Sequence, residues 1–133
     1  MMQEKTPIIL AKSDFYVLKN CVAKLTQKNS ASAELLSQEL KAAIIVDDEI
    51  LPKTCVRLNS TIRLREWPGK TVHEFSIVTP EAADEEKKMI SVLDPWGAAF
   101  IGLSKTEKVD RELTGYSKCF EIIDVRPLTD ALN

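Results

Sequence analysis

The sequence is poor in the residues on which catalysis, metal binding and membrane insertion depend. It carries one histidine and three cysteines in 133 residues. Cys21, Cys55 and Cys119 are odd in number, widely spaced and without a CxxC pair. That pattern argues against a disulfide framework and for reduced, mostly buried thiols in a cytoplasmic protein. No GxSxG, HExxH, P-loop or dinucleotide fingerprint occurs, so no catalytic, cofactor-binding or metal-binding residue is expected. Net charge is −2 with both signs spread along the chain, so no basic half is available as a footprint for a nucleic-acid duplex. No apolar run approaches a membrane span, and the N-terminus lacks a signal-peptide pattern. Repeats and low-complexity tracts are absent as well.

What is present is an ordinary globular composition, 44% hydrophobic and 29% charged, enough for one respectable core. The first half has helical periodicity. From Ser13 to about Lys28, Phe15, Leu18, Cys21 or Val22, and Leu25 recur on one face, with Ser13 as N-cap and Asp14 at the positive end of the dipole. Asn29–Ser32 breaks the pattern, and a second helix is expected from about Ala33 to Ile45, with Leu36, Leu40 and Ala43 or Ile44 on one face. So short a connection implies an antiparallel helical hairpin with Leu18, Leu25, Leu36 and Leu40 at its seam. Asp47, Asp48 and Glu49 follow. Three adjacent acids invite a metal site, but the spaced acids and glycine of an EF-hand are missing, and a solvated linker is the expectation.

Beyond Pro52 the period falls from 3.6 to 2. Val56 and Leu58 alternate with Arg57, and Ile62 and Leu64 with Arg63 and Arg65, with a turn or bulge at Asn59-Ser60. Arg57, Arg63 and Arg65 are placed on one solvated, mixed-charge sheet face. Trp67–Lys70 is a turn, Val72–Thr79 a strand with His73 within it, and Pro80–Lys88 a polar loop. Met89–Leu93 is a further strand. Asp94 can cap a short helix that opens at Pro95, runs through Ala98–Ile101 and closes at a left-handed Gly102. Trp96 at that turn is either a lid on the core or an exposed anchor for a partner. Strands near Lys108–Leu113 and Lys118–Val125, joined at Thr114-Gly115, complete an α+β chain with a largely antiparallel sheet. The natural division is 1–52, a short coiled-coil-like helical hairpin, and 53–133, a sheet domain.

Three segments in order, Val56-Arg-Leu-Asn-Ser60, Phe75-Ser-Ile-Val78, and Ile90-Ser-Val-Leu-Asp-Pro95 with Gly97-Ala-Ala-Phe-Ile-Gly102, resemble the C-terminal domain of the Gre transcript-cleavage factors. The resemblance covers roughly Val56 to Val125, and the whole chain is most similar to the Rnk branch, the regulators of nucleoside diphosphate kinase, which are Gre relatives with a shortened hairpin. It implies an FKBP-like fold, an antiparallel sheet wrapped on one helix. It also implies a cytoplasmic transcription regulator that binds RNA polymerase at the secondary-channel rim, with Leu93, Asp94, Pro95 and Trp96 as docking residues. Lys28, Asn29 and Ser30 would form the hairpin tip. Neither membrane nor sequence-specific nucleic-acid binding is implied. Three departures stand out: Asp94 replaces a serine, Asn59 a glycine, and Thr106-Glu107 a Gly-Asp. The tip from Gln27 to Ser32 has no carboxylate to hold a catalytic Mg²⁺, so cleavage stimulation is not expected. The rival readings are an FKBP-like prolyl isomerase, which would need an aromatic-lined pocket from only two tryptophans, two tyrosines and four phenylalanines, and a generic protein-binding adaptor.

Overall fold

A computed structural model describes residues 7–24, 31–113 and 117–128. The chain order is β1 (Ile9–Ala11), α1 (Lys12–Ala23), α2 (Ala31–Ala42), β2 (Ile44–Val46), β3 (Ser60–Trp67), β4 (Thr71–Val78), β5 (Met89–Ser91), α3 (Pro95–Ala98), β6 (Lys108–Glu112) and β7 (Ser117–Pro127). Five strands form one sheet in the order β5-β4-β3-β7-β6. β4 and β7 flank β3 antiparallel, β6 pairs antiparallel with β7, and β5 runs parallel to β4. The period-2 pattern dictates this arrangement: Ile62 and Leu64 of β3 are buried while Arg63 between them is exposed. Opposite that point the β3–β7 register shifts, Arg63 facing Asp124 and Leu64 facing Ile122, a bulge that bends the long strand.

The sheet's inner face buries Ile62, Leu64, Phe75, Ile77, Phe120 and Ile122 against Ala98–Ile101. Leu18, Leu36 and Leu40 belong to the same hydrophobic cluster, so the helices share one continuous core with the sheet. Leu18 and Leu36 are fully buried, as their helical spacing predicts; Leu25 lies outside the described residues.

The N-terminal unit departs from the expected pair of helices. α2 stops at Ala42, and Ile44–Val46 pairs parallel with Ile9–Ala11 in a separate two-stranded sheet. Periodicity could not reveal either strand: three residues are too few to show alternation, and a β-branched run after a helix reads as more helix. Ser13 is not the N-cap of α1, which begins one residue earlier after Ala11. The Ser13 N–H donates to Asp48 Oδ1 at 3.1 Å and its hydroxyl donates to Asp48 Oδ2. A carboxylate remote in sequence therefore satisfies the first helical turn, as an N-cap side chain normally would. Asp47 pairs with Lys12 at 3.6 Å. The acidic run is thus not merely a solvated linker; two of its carboxylates tie β2's exit to α1. Asp14 is buried, its carboxylate accepting from the Leu58 N–H and Arg57 Nε, each at 3.3 Å.

Val56 and Leu58 lie on a connector rather than a strand, and β3 begins only at Ser60. Arg57 consequently leaves the expected sheet face and joins Asp14 and Asp48. Arg63 does meet Glu74 across the strands at 3.2 Å, and Arg65 lies over the Trp67 ring. Asn59, the turn residue before β3, is left-handed at φ 64°, a conformation asparagine tolerates. The joint Thr114-Gly115 lies outside the described residues.

Candidate functional site

The turn between β5 and α3 is assembled from its own side chains. Ser91 Oγ accepts the Leu93 N–H at 3.0 Å, and Ser91 C=O accepts the Asp94 N–H at 2.9 Å. Asp94 caps α3 as expected: its Oδ1 accepts the Trp96 N–H at 2.9 Å and its C=O accepts from Gly97 and Ala98. Pro95 occupies the first helical position, where its missing N–H leaves nothing unsatisfied. Gly97 is dictated by a close approach, since a Cβ there would fall 2.3 Å from the Ser91 carbonyl oxygen. The helix stops at Ala98 rather than running to Ile101, and the turns that follow end at Gly102, left-handed as expected at φ +82°. Asp94 and Pro95 are exposed, and Leu93 and Trp96 half-buried, and Asp94 and Trp96 also border the neighbouring groove.

Trp96 proves to be a lid. Its ring lies 5.6 Å from Phe120, 5.9 Å from Phe75, 6.4 Å from Phe100 and 4.9 Å from His73. The edge-to-face arrangement with Phe75 and Phe120 is the favoured geometry for aromatic pairs. The phenylalanines pack on each other in the interior rather than around an open cavity. Beside them lies a groove of about 550 Å³ between β4, β5 and the turn, with Phe75, Ile90 and Trp96 on its apolar side and Glu74, Glu85 and Lys88 on its polar side.

Next to Trp96, and touching it through His73, is a polar trio that no motif in the sequence announces. Glu66 Oε1 is 2.8 Å from His73 Nε2, and Glu66 Oε2 accepts from Lys118 Nζ at 2.6 Å. These contacts, led by the Lys118 bond, hold the Glu66 carboxyl below its ordinary range. His73 is therefore a half-buried strand residue with a carboxylate partner, in keeping with its expected structural role. Glu66 shares its face with Ile62 and Leu64, so alternation could have flagged an inward carboxylate; its partners come from strands remote in sequence. Cys55 is buried, with Sγ 3.4 Å from Ser104 Oγ, and burial pushes the half-buried Cys21 thiol up. Leu93, Asp94, Pro95 and Trp96 are thus brought together, while the tip residues Lys28, Asn29 and Ser30 lie outside the described residues.

Comparison with known proteins agrees with this architecture. The model of the family described as transcription elongation factor GreA/GreB, C-terminal, matches residues 51–127. Transcription elongation factor GreA of Clostridium botulinum is 31% identical over 91 residues, 68% of this chain and 57% of the relative. The regulator of nucleoside diphosphate kinase of Escherichia coli is 30% identical over 83 residues, 62% of this chain and 61% of the relative. The match therefore spans about three fifths of the length of these curated relatives. Among solved structures, a transcription elongation factor GreA/GreB of Nitrosomonas europaea superimposes with a TM-score of 0.76 at 28% identity, covering 92% of this chain and 99% of that one. The five-stranded sheet closed over α3, the Asp94-capped turn and the match across residues 51–127 make this chain a member of the GreA/GreB C-terminal family.

Proposed function

We propose that this protein is a transcription regulator that binds RNA polymerase at the rim of the secondary channel without stimulating transcript cleavage. The family match across residues 51–127 carries the reading. In it, residues 53–133 dock and residues 1–52 form the arm that enters or flanks the channel. Docking uses the rim at Leu93, Asp94, Pro95 and Trp96, of which Asp94 and Pro95 are exposed. Trp96 contributes mainly by holding that rim rigid, because its ring is committed to the aromatic cluster.

Cleavage stimulation needs carboxylates that hold a second metal and its activated water. The tip from Gln27 to Ser32 offers none. α1 has 12 residues and so extends about 18 Å. Of the acids near the base, Asp47 and Asp48 are held by Lys12, Ser13 and Arg57. An FKBP-like isomerase reading has Phe75 and Trp96 beside the groove in its favour, and a peptide-isomerisation assay decides it.

The deciding experiment adds the protein to backtracked elongation complexes. No RNA 3′-end cleavage above the polymerase-alone rate is expected, and excess protein should suppress cleavage by an added Gre factor. Cleavage above that rate, or unimpeded Gre activity at saturation, would overturn the reading. Asp94→Asn keeps the acceptor that caps α3 while removing the charge. It should weaken polymerase binding with the melting temperature unchanged, whereas Trp96→Ala would confound docking with folding.

A further inference from the structure

We propose that β2 pairs with β2 of a second copy of this chain, antiparallel across a two-fold axis, joining the two small sheets into one of four strands. The edges of the five-stranded sheet are blunted against such pairing. β6 carries Lys108, Asp110, Arg111 and Glu112, and β5 is only three residues long. The outer edge of β5 is also occupied, since Met89 and Asp84 exchange both backbone hydrogen bonds at 2.9 Å, whereas β2, equally short, has no such cover among the described residues. β2 reads Ile44-Ile45-Val46, with Ile44 48% and Ile45 41% exposed.

The backbone leaves this edge open. β1 is covered on its far side, where the Ile9 N–H donates to the Gly102 carbonyl at 3.1 Å. On the near side the Ile44 N–H donates to the Ile8 carbonyl at 2.9 Å. In a parallel ladder successive residues turn their N–H and C=O to opposite sides, so Ile45 directs both outward, away from β1. With Ile45 opposite Ile45 of a second copy, each N–H would meet the other's C=O, forming a hydrogen-bonded antiparallel pair.

The flanks select a second copy as the occupant, and they select its direction. Lys41, exposed in the last turn of α2, precedes the strand, and Asp47, Asp48 and Glu49 follow it. Asp47 and Asp48 are engaged by Lys12, Ser13 and Arg57, which leaves Glu49 as the acid that faces a second copy. Antiparallel self-pairing brings the Lys41 end of each copy over the acidic turn of the other. Parallel pairing would set lysine beside lysine and acids beside acids. The strip is therefore complementary to itself in one orientation, which is what a two-fold interface requires. Alongside the strand, Phe15, Val22, Leu40 and Ile45 line an apolar groove of about 420 Å³, with Lys19 and Lys41 at its rim, adding area to a short seam. None of this rests on the polymerase reading.

Sedimentation of the full chain from about 1 μM to about 1 mM tests the proposal. The apparent mass should rise with concentration from 14.9 kDa towards twice that value. Ile45→Lys should weaken association by about tenfold or more without lowering the melting temperature. Lys41→Glu and Glu49→Lys should each weaken it, and the double variant should restore it. Both positions are exposed, so this swap stays informative even if the Ile45 variant fails to fold. A monomer throughout, association indifferent to Ile45→Lys, or a double variant no tighter than the single ones would each overturn the two-fold pairing. So would a chain that stays monomeric and binds an extended apolar peptide at β2.

Discussion

Thr106 shows how a single residue is overruled by its surroundings. It stands where the Gre-like pattern has glycine, yet keeps the left-handed backbone at φ 78°. Its N–H donates to the Ile122 carbonyl at 2.8 Å, and the Ile122 N–H donates to Glu107 at 3.0 Å. The sheet therefore imposes the turn on a β-branched residue that disfavours it. Thr106→Gly should stabilise the protein by about 1 kcal/mol, read as a higher midpoint in urea. A lower midpoint would mean that the Thr106 side chain contributes more than its strain costs. Asn59, at φ 64°, should gain far less from the same change. Glu66 belongs to the same scale. Its folded-state pKa lies below the ordinary value, so its stabilisation is present above the unfolded-state pKa and lost as pH falls through the lowered folded-state pKa. Glu66→Gln should lower the melting temperature at pH 7 and flatten its fall at acid pH. A variant that loses stability equally at both pH values would contradict the role given to Lys118 and His73.

At the scale of elements, the helices are held by what lies beneath them and by what grips their ends. Leu36 is fully buried in the core cluster, and truncating such a leucine costs about 2–5 kcal/mol. Leu36→Ala should thus lower the unfolding midpoint clearly, and an unchanged midpoint would remove α2 from the core. α1 is gripped from a distance. The Asp48 carboxyl is held below its ordinary range, chiefly by Ser13 and then by Arg57. Asp48→Ala should raise amide exchange in the first turn of α1 while leaving β3 and β4 protected. Uniform deprotection would show instead that the contact supports the whole fold.

At the scale of the whole molecule, the continuity of the core decides how it unfolds. Leu18, Leu36 and Leu40 share one cluster with Ile62, Phe75 and Phe120. Neither the helices nor the sheet can lose the other without exposing apolar surface, so a single cooperative transition is expected. Both tryptophans, Trp67 and Trp96, report on the sheet side, whereas far-UV ellipticity at 222 nm reports mainly on α1 and α2. The two signals should give coincident urea midpoints. Separate midpoints would make residues 1–52 an independently unfolding arm.

The sequence by itself determined whatever depends on neighbours along the chain. The Asp94 cap, Pro95 at the first position of α3, the left-handed Gly102 and the alternation of Ile62 and Leu64 are local chemistry, legible in the order of the residues alone. So is the family, because an ordered set of short motifs survives where overall identity is low. The tertiary structure alone decided what depends on distant partners. Ser13 has the chemistry of a cap, but Asp48 takes that role. Arg57 has the pattern of a sheet residue, but two aspartates draw it to α1. Glu66 has no partner near it in sequence, and β4 and β7 bring it His73 and Lys118. Trp96 suits a lid and an anchor equally as a turn residue, and three phenylalanines closing around it decide for the lid. β1 and β2, three residues each, exist only because each supplies the other's hydrogen bonds, and no pattern within either segment can encode that.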